Sequence, residues 1–210
     1  MLVSQSRSTE VYGNNKDGHL EPISSYAVSK AAIDQLINCR YAEANTPVIG
    51  LRQFNCIGER ETHPYVVPEI ISQVHQYNEE HPNATKIELY LGNNSTRDFM
   101  YAGDAARLGI EVLLKGELGE CYELGSDWTP IQIYALAQTI TLNMTGKEAL
   151  IHVDESRVRP IELWSLQADN QRVYELTDLR PTISLAKRSK QLSSTSEVTE
   201  TSGTFLFYRR

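Results

Sequence analysis

The sequence predicts an α/β fold on a parallel sheet, and two observations carry that prediction. Residues 2 to 52 read as strand end, polar loop, long helix and strand, which is one βα unit with its loop at the carboxyl end of the strand. After it, helical and strand patterns keep taking turns to about residue 176. With 210 residues and 23.7 kDa, the chain can hold one ordinary domain, or one and a half, around a sizeable core.

Leu2-Val3-Ser4 has the character of a strand end and leads into a polar turn over residues 8 to 13. A loop rich in Asn, Asp and Gly continues to Pro22. From Ser25 to about Asn45, apolar residues recur at Ala27, Ala31, Ile33, Leu36, Ile37 and Tyr41, a helical spacing. Ser24 or Ser25 supplies the N-cap, and Asn45-Thr46-Pro47 stops the helix. Val48-Ile49-Gly50-Leu51-Arg52 reads as a short buried strand. Further helices are predicted over 66–74, over 102–114, from Trp128-Thr129-Pro130 to Asn143, and for a turn or two over 171–176. Strands are predicted over 87–91, 120–124 and 151–153. Beyond Leu185 the chain becomes basic and then rich in Ser and Thr without an apolar period. Such a stretch cannot bury enough surface to offset its ordering entropy, so residues 186–210 read as a disordered tail.

Composition excludes several classes. Lys plus Arg is 20 and Asp plus Glu is 27, a net charge of −7, which argues against a nucleic-acid partner. No run approaches 18 apolar residues, so no membrane span is expected, and the N-terminus lacks the pattern of a secretory signal. Cys39, Cys56 and Cys121 form no CxxC pair and read as reduced thiols of a cytoplasmic protein. His63, His75, His81 and His152 are scattered at no metal-ligand spacing, so no metal is expected. Trp128 and Trp164 are read as packing residues.

Tyr26-Ala27-Val28-Ser29-Lys30 is the sharpest chemical signal, because Tyr26 and Lys30 lie one turn apart on one helix face. A free phenol titrates near ~10, and an adjacent ammonium favours its anion, which suits acid and base work. On its own, Tyr-x-x-x-Lys is a weak signal and more often marks a structural pair on a solvated face. Its context adds three segments. Arg7-Ser8-Thr9-Glu10-Val11-Tyr12-Gly13 lies upstream; Leu51-Arg52-Gln53-Phe54-Asn55-Cys56-Ile57-Gly58 and Thr96-Arg97-Asp98-Phe99-Met100-Tyr101-Ala102-Gly103-Asp104 lie downstream. In this order, over roughly residues 2 to 185, the four segments resemble the extended short-chain dehydrogenase/reductase family, the nucleotide-sugar epimerases and dehydratases.

The resemblance implies roles and a cofactor, NAD or NADP. Ser8 would hydrogen-bond the sugar C4 oxygen, and Tyr26 would take the C4 hydroxyl proton. Lys30 would hold the nicotinamide ribose. Asn55, Arg97 and Arg159 would contact a nucleotide-diphosphate sugar, since a guanidinium forks onto phosphate oxygens. Glu10 matches the base that takes the C5 proton in 4,6-dehydratases, and a glutamate there also occurs in UDP-glucuronate decarboxylases. The expectation is thus a 4,6-dehydratase-like chain, with a 4-epimerase, a decarboxylase, an inactive remnant or a complementing half as alternatives. The loop from Glu59 to Pro64 is a candidate border of the nucleotide pocket, and equally a solvated loop.

The implied fold is the C-terminal part of a Rossmann-type parallel sheet plus a smaller α/β substrate domain. Residues 1–58 would be a remnant of the NAD(P)-binding domain, carrying Ser8, Tyr26 and Lys30. Residues 59–185 would be the substrate-binding part, with some segments returning to the sheet. The family's Gly-x-x-Gly-x-x-Gly fingerprint is absent, and Gly116-Glu117-Leu118-Gly119 lies after a helix and before a strand, the wrong order for a phosphate cradle. The expectation is a chain truncated on its N-terminal side. Its partner would be a second copy or a separately encoded Rossmann half.

Overall fold

The computed structural model describes residues 3–14, 19–58, 61, 65–184, 197–201 and 204–208, with the backbone alone for 3–9 and the last two segments. The chain opens with strand β1 (Val3–Ser8), a 3-10 turn (Thr9–Tyr12) and helix α1 (Ser25–Ala44). Ser24 is the N-cap, its Oγ accepting the Ala27 N–H at 3.0 Å. Asn45 closes α1 in the left-handed region at φ 47, and Thr46-Pro47 carries the chain on into β2 (Val48–Gln53). β3 (Asn55–Ile57) and α2 (Val66–Glu80) come after it. Pro68 lies in the first turn of α2, where a missing N–H does no harm.

Next come β4 (Lys86–Leu91), β5 (Thr96–Arg97), β6 (Phe99–Tyr101) and α3 (Ala102–Lys115). β7 (Cys121–Leu124), β8 (Ile131–Gln132), α4 (Ile133–Thr145) and β9 (Glu148–Val153) complete the larger elements, before a 3-10 turn (Glu155–Arg157) and α5 (Gln171–Thr177). α4 begins five residues later than the sequence predicts. The intervening residues are taken by pairing: Ile131 and Gln132 bond antiparallel to Arg97 and Thr96, and Ile133 N–H donates to the Ser95 carbonyl at 3.0 Å.

β1, β2 and β7 form a parallel sheet in that order. β3 pairs with β6 and β4 with β9, both parallel. Two main cores result. Ile49, Leu51, Met100, Leu108, Tyr122 and Val173 join the sheet to α3 and α5. Ile70, Val74, Leu89, Leu136 and Ile140 join α2 and α4 to the β4–β9 pair. The first core draws on β2 and on segments after residue 98, so the chain crosses between the cores more than once.

Where the sequence reading expected a structureless tail, β10 (Glu197–Thr201) pairs antiparallel with β11 (Thr204–Tyr208). In the sequence, Ser202-Gly203 between β-branched and aromatic runs is a two-residue hairpin signal. Among the described residues, no helix is long and apolar enough to cross a membrane.

Candidate active site

The carboxyl ends of the three parallel strands are level, with Ser8, Gln53 and Leu124 aligned in register. Ligands of open parallel sheets sit outside this end. The level ends bring together the segments that leave the strands: the Glu10 turn after β1, the Phe54-Asn55 step after β2 and Gly125-Ser126 after β7. Ser8 closes β1, but its side chain lies outside the described residues. Asn55 is exposed and stands opposite Phe99, two residues from Arg97.

The Glu10 turn is fixed from both sides. The buried Val11 accepts the Glu21 N–H through its carbonyl at 2.9 Å, and Gly13 N–H donates to the Glu10 carbonyl at 3.1 Å. Gly13 has φ +59, and a Cβ there would lie 2.2 Å from the Glu21 carbonyl oxygen, so the close approach requires glycine. α1 packs against both β1 and this turn. Tyr26, in the first turn of α1, is 50% exposed, and Lys30 Nζ lies 5.5 Å from its ring centroid. Half-exposed phenol, adjacent ammonium and acidic turn therefore share one end of the molecule.

Beneath them runs a polar network that the sequence reading missed. Arg52 Nε and Nη2 each lie 3.0 Å from Oδ2 of the buried Asp34. Arg52 Nη1 donates to the Tyr12 hydroxyl, and that hydroxyl donates to Glu123. Glu123 also accepts the Asp169 N–H at 2.9 Å. Burial, together with the bond to Glu123 and its negative charge, pushes the Tyr12 phenol far up and keeps it a donor. One signal was present: Asp34 lies seven residues after Ala27 and three before Ile37, on the buried face of α1.

Arg97 and Arg159 do not share a partner. Arg97 is paired with Glu162, Nη2 to Oε1 at 2.8 Å, whereas Arg159 is exposed in the loop beyond the second 3-10 turn. It is Arg157, at the end of that turn, that is anchored, 2.7 Å from Glu69 and 3.0 Å from Asp154. Sequence reasoning also passed over Glu162, although it lies only three residues after Arg159. Trp164 is 57% exposed and its backbone N–H donates to Asn14, which corrects its reading as a packing residue.

Buried acids frame the region. Asp98 Oδ1 accepts the Ser126 N–H at 2.9 Å and Oδ2 the Ala168 N–H at 3.2 Å, while burial pushes its carboxyl up against the effect of those bonds. A Cβ at Gly125 would lie 2.6 Å from Asp98 Oδ2, so this crossing also needs glycine. Burial lifts the Glu61 carboxyl to about 7 against a backbone bond from Gly58, and it lifts the Cys56 thiol as well. The rest of the 59–64 loop, read as a pocket border, lies outside the described residues.

Comparisons with known proteins bear on the family and the fold. A family model described as GDP-mannose 4,6 dehydratase matches residues 2–192. The dTDP-D-glucose 4,6-dehydratase of Homo sapiens is 30% identical over 125 residues, covering 57% of this chain and 34% of its own length. The UDP-glucuronic acid 4-epimerase of Bacillus cereus, solved with UDP-glucuronic acid and NAD, superposes with a TM-score of 0.78 at 21% identity. That match covers 92% of this chain and 60% of the epimerase. RMD from Pseudomonas aeruginosa, complexed with NADPH, gives 0.76 at 23% identity, over 92% of this chain and 65% of its own. The chain thus spans about a third of the human relative and under two thirds of these solved chains. The fold is the Rossmann-type parallel α/β arrangement of these structures.

Proposed function

The chain belongs to the GDP-mannose 4,6 dehydratase family, and from that premise we propose that it forms the catalytic part of an NAD(P)-dependent nucleotide-sugar 4,6-dehydratase. The observation that carries the reading is the Lys30 ammonium 5.5 Å from the half-exposed Tyr26 ring, on a helix packed against the Glu10 turn. A nicotinamide ribose needs polar donors on an open face, and Tyr26 with the partly exposed Lys30 fits that need. The Gly-x-x-Gly-x-x-Gly fingerprint is not among these 210 residues, so the test includes a polypeptide that carries it.

The residues then divide the chemistry. The nicotinamide supplies a hydride acceptor that later returns the hydride. Ser8 hydrogen-bonds the sugar C4 oxygen, and Tyr26 takes the C4 hydroxyl proton as that carbon is oxidised. The new C4 ketone would acidify the C5 hydrogen; Glu10 would take it as a proton and pass it to the C6 hydroxyl, which leaves as water, and C6 would then receive the hydride as C5 takes up a proton. Lys30, its Nζ 5.5 Å from the Tyr26 ring centroid, holds the nicotinamide ribose. Asn55, Arg97 and Arg159 hold the diphosphate-sugar.

The test supplies NAD or NADP with GDP-mannose, dTDP-glucose or UDP-glucuronate to the chain, with and without a polypeptide bearing the Gly-rich half, and tracks the sugar by mass spectrometry. The expected product has lost one water. Tyr26→Phe abolishes it, and Glu10→Gln blocks water loss while cofactor reduction persists. A product of unchanged mass inverted at C4, or carbon dioxide released from UDP-glucuronate, would replace the dehydratase reading with the epimerase or the decarboxylase.

A further inference from the structure

The guanidinium that the proposed function assigns to a diphosphate already holds an anion. Arg97 Nη2 lies 2.8 Å from Glu162 Oε1, and Nη1 donates to the Thr96 and Leu163 carbonyls at 2.9 and 2.6 Å. The two side chains are 11% and 9% exposed, so the pair is largely removed from water. Glu162 rides on a strap whose anchors do not use its carboxylate. Asn14 Nδ2 donates to the Glu162 carbonyl at 3.0 Å, and the Trp164 N–H returns to Asn14 Oδ1 at 2.9 Å. The Thr96 N–H donates to the Trp164 carbonyl at 2.8 Å, and Leu163 and Leu166 are buried with Phe54. The carboxylate itself is held by Arg97 and by a longer contact from Asn93 Nδ2, at 3.4 Å.

We propose that Glu162 is an internal anion that competes with the ligand's diphosphate for Arg97, and so sets how tightly the site takes a nucleoside diphosphate. The inference rests on the diphosphate-binding role proposed for Arg97. A phosphate oxygen can accept from Arg97 Nη2 as Glu162 Oε1 does, so one anion can replace the other while Nη1 stays on the Thr96 and Leu163 carbonyls. An arginine neutralised by a nearly buried carboxylate attracts a second anion weakly, and two anions on one cation repel where water screens poorly. Exchange removes that repulsion. Because the strap is anchored by its backbone and by Leu163 and Leu166, the Glu162 side chain can leave while the strap stays.

Isothermal titration of the full chain with GDP, dTDP and UDP tests the exchange. Glu162→Gln keeps the shape and an acceptor oxygen but loses the charge, and it should tighten binding by about tenfold. Arg97→Ala should weaken binding. On the unmodified chain labelled with carbon-13 glutamate, the Glu162 carboxyl resonance should move as the diphosphate saturates; this reading stands even if the glutamine variant does not fold. Equal or weaker binding by a folded Glu162→Gln chain, or an unmoved carboxyl resonance, overturns the exchange. So does a lack of diphosphate binding by both the unmodified chain and Glu162→Gln. If Arg97→Ala loses binding while Glu162→Gln gains nothing, the exchange fails and the phosphate role of Arg97 stands. Undiminished binding by Arg97→Ala overturns both.

Discussion

Burial lifts the Glu61 carboxyl from an ordinary 4.5 to about 7, against the opposing backbone bond from Gly58. Between those values the folded chain keeps a proton that the unfolded chain has released. Stability therefore falls as pH rises from about 4.5 to about 7, and the loss is complete above that window. The size of the loss is about 1–3 kcal/mol. Asp98 is raised by burial and acts in the same direction. Burial also pushes Asp104 up, but the Thr182 and Ile183 N–H bonds outweigh it and hold that carboxyl low, so its contribution is lost only on acidification. Urea unfolding at pH 5 and pH 8 checks this: the unmodified chain should be less stable at pH 8, and Glu61→Gln should remove most of the difference. Equal differences in both chains would contradict the assignment. None of this was legible beforehand, because Glu59-Arg60-Glu61-Thr62-His63-Pro64 is polar throughout and has no period that announces burial.

At the scale of elements, α1 is held to the sheet by the Arg52–Asp34 pair, with Asp34 only 1% exposed. Removing one partner of a buried pair strands the other charge, so Asp34→Ala should lower the unfolding free energy by about 3–5 kcal/mol. Lys86→Ala, which breaks an exposed pair with Glu148, should cost about 1 kcal/mol or less. Equal urea midpoints for the two variants would remove the network from the account of how α1 is positioned. The boundaries of α1 were legible because the Ser24 cap and the Asn45-Thr46-Pro47 stop act within a few residues. β3, β5, β6 and β8 were not, since strands of two or three residues carry no period and exist through distant partners such as Phe99 for Asn55. The same cause delayed the start of α4: Ile131 pairs with Arg97, a contact that no local pattern announces. The motif residues were legible as residues, yet the carboxylate opposite Arg97 came from sixty-five positions away.

For the whole molecule, alternating helices and strands announced a parallel α/β fold, but not how the sheet is bounded. The strand order places β1 at an edge of the three-stranded sheet, so one side of its backbone is left without a strand neighbour among the described residues. Apolar side chains are exposed elsewhere as well. Ala106, Ile110 and Leu114 recur every four residues along α3 and are all exposed, Ile110 to 57% and Leu114 to 70%. On α1, Val28 and Leu36 are 53% and 59% exposed. The net charge of −7 opposes self-association by mutual repulsion, but that repulsion fades over about 8 Å at physiological salt, whereas apolar contact is not screened. The chain should therefore associate in a concentration-dependent way, and more strongly as salt is raised. Sedimentation velocity over a hundredfold dilution range, at low and physiological salt, measures this directly. Ile110→Lys with Leu114→Lys should shift the distribution toward monomer, because both side chains already face water and their replacement disturbs no core contact. A monomer at every concentration, or association indifferent to the α3 substitutions, would mean that this face is tolerated as bare surface and that the sheet edge is protected some other way.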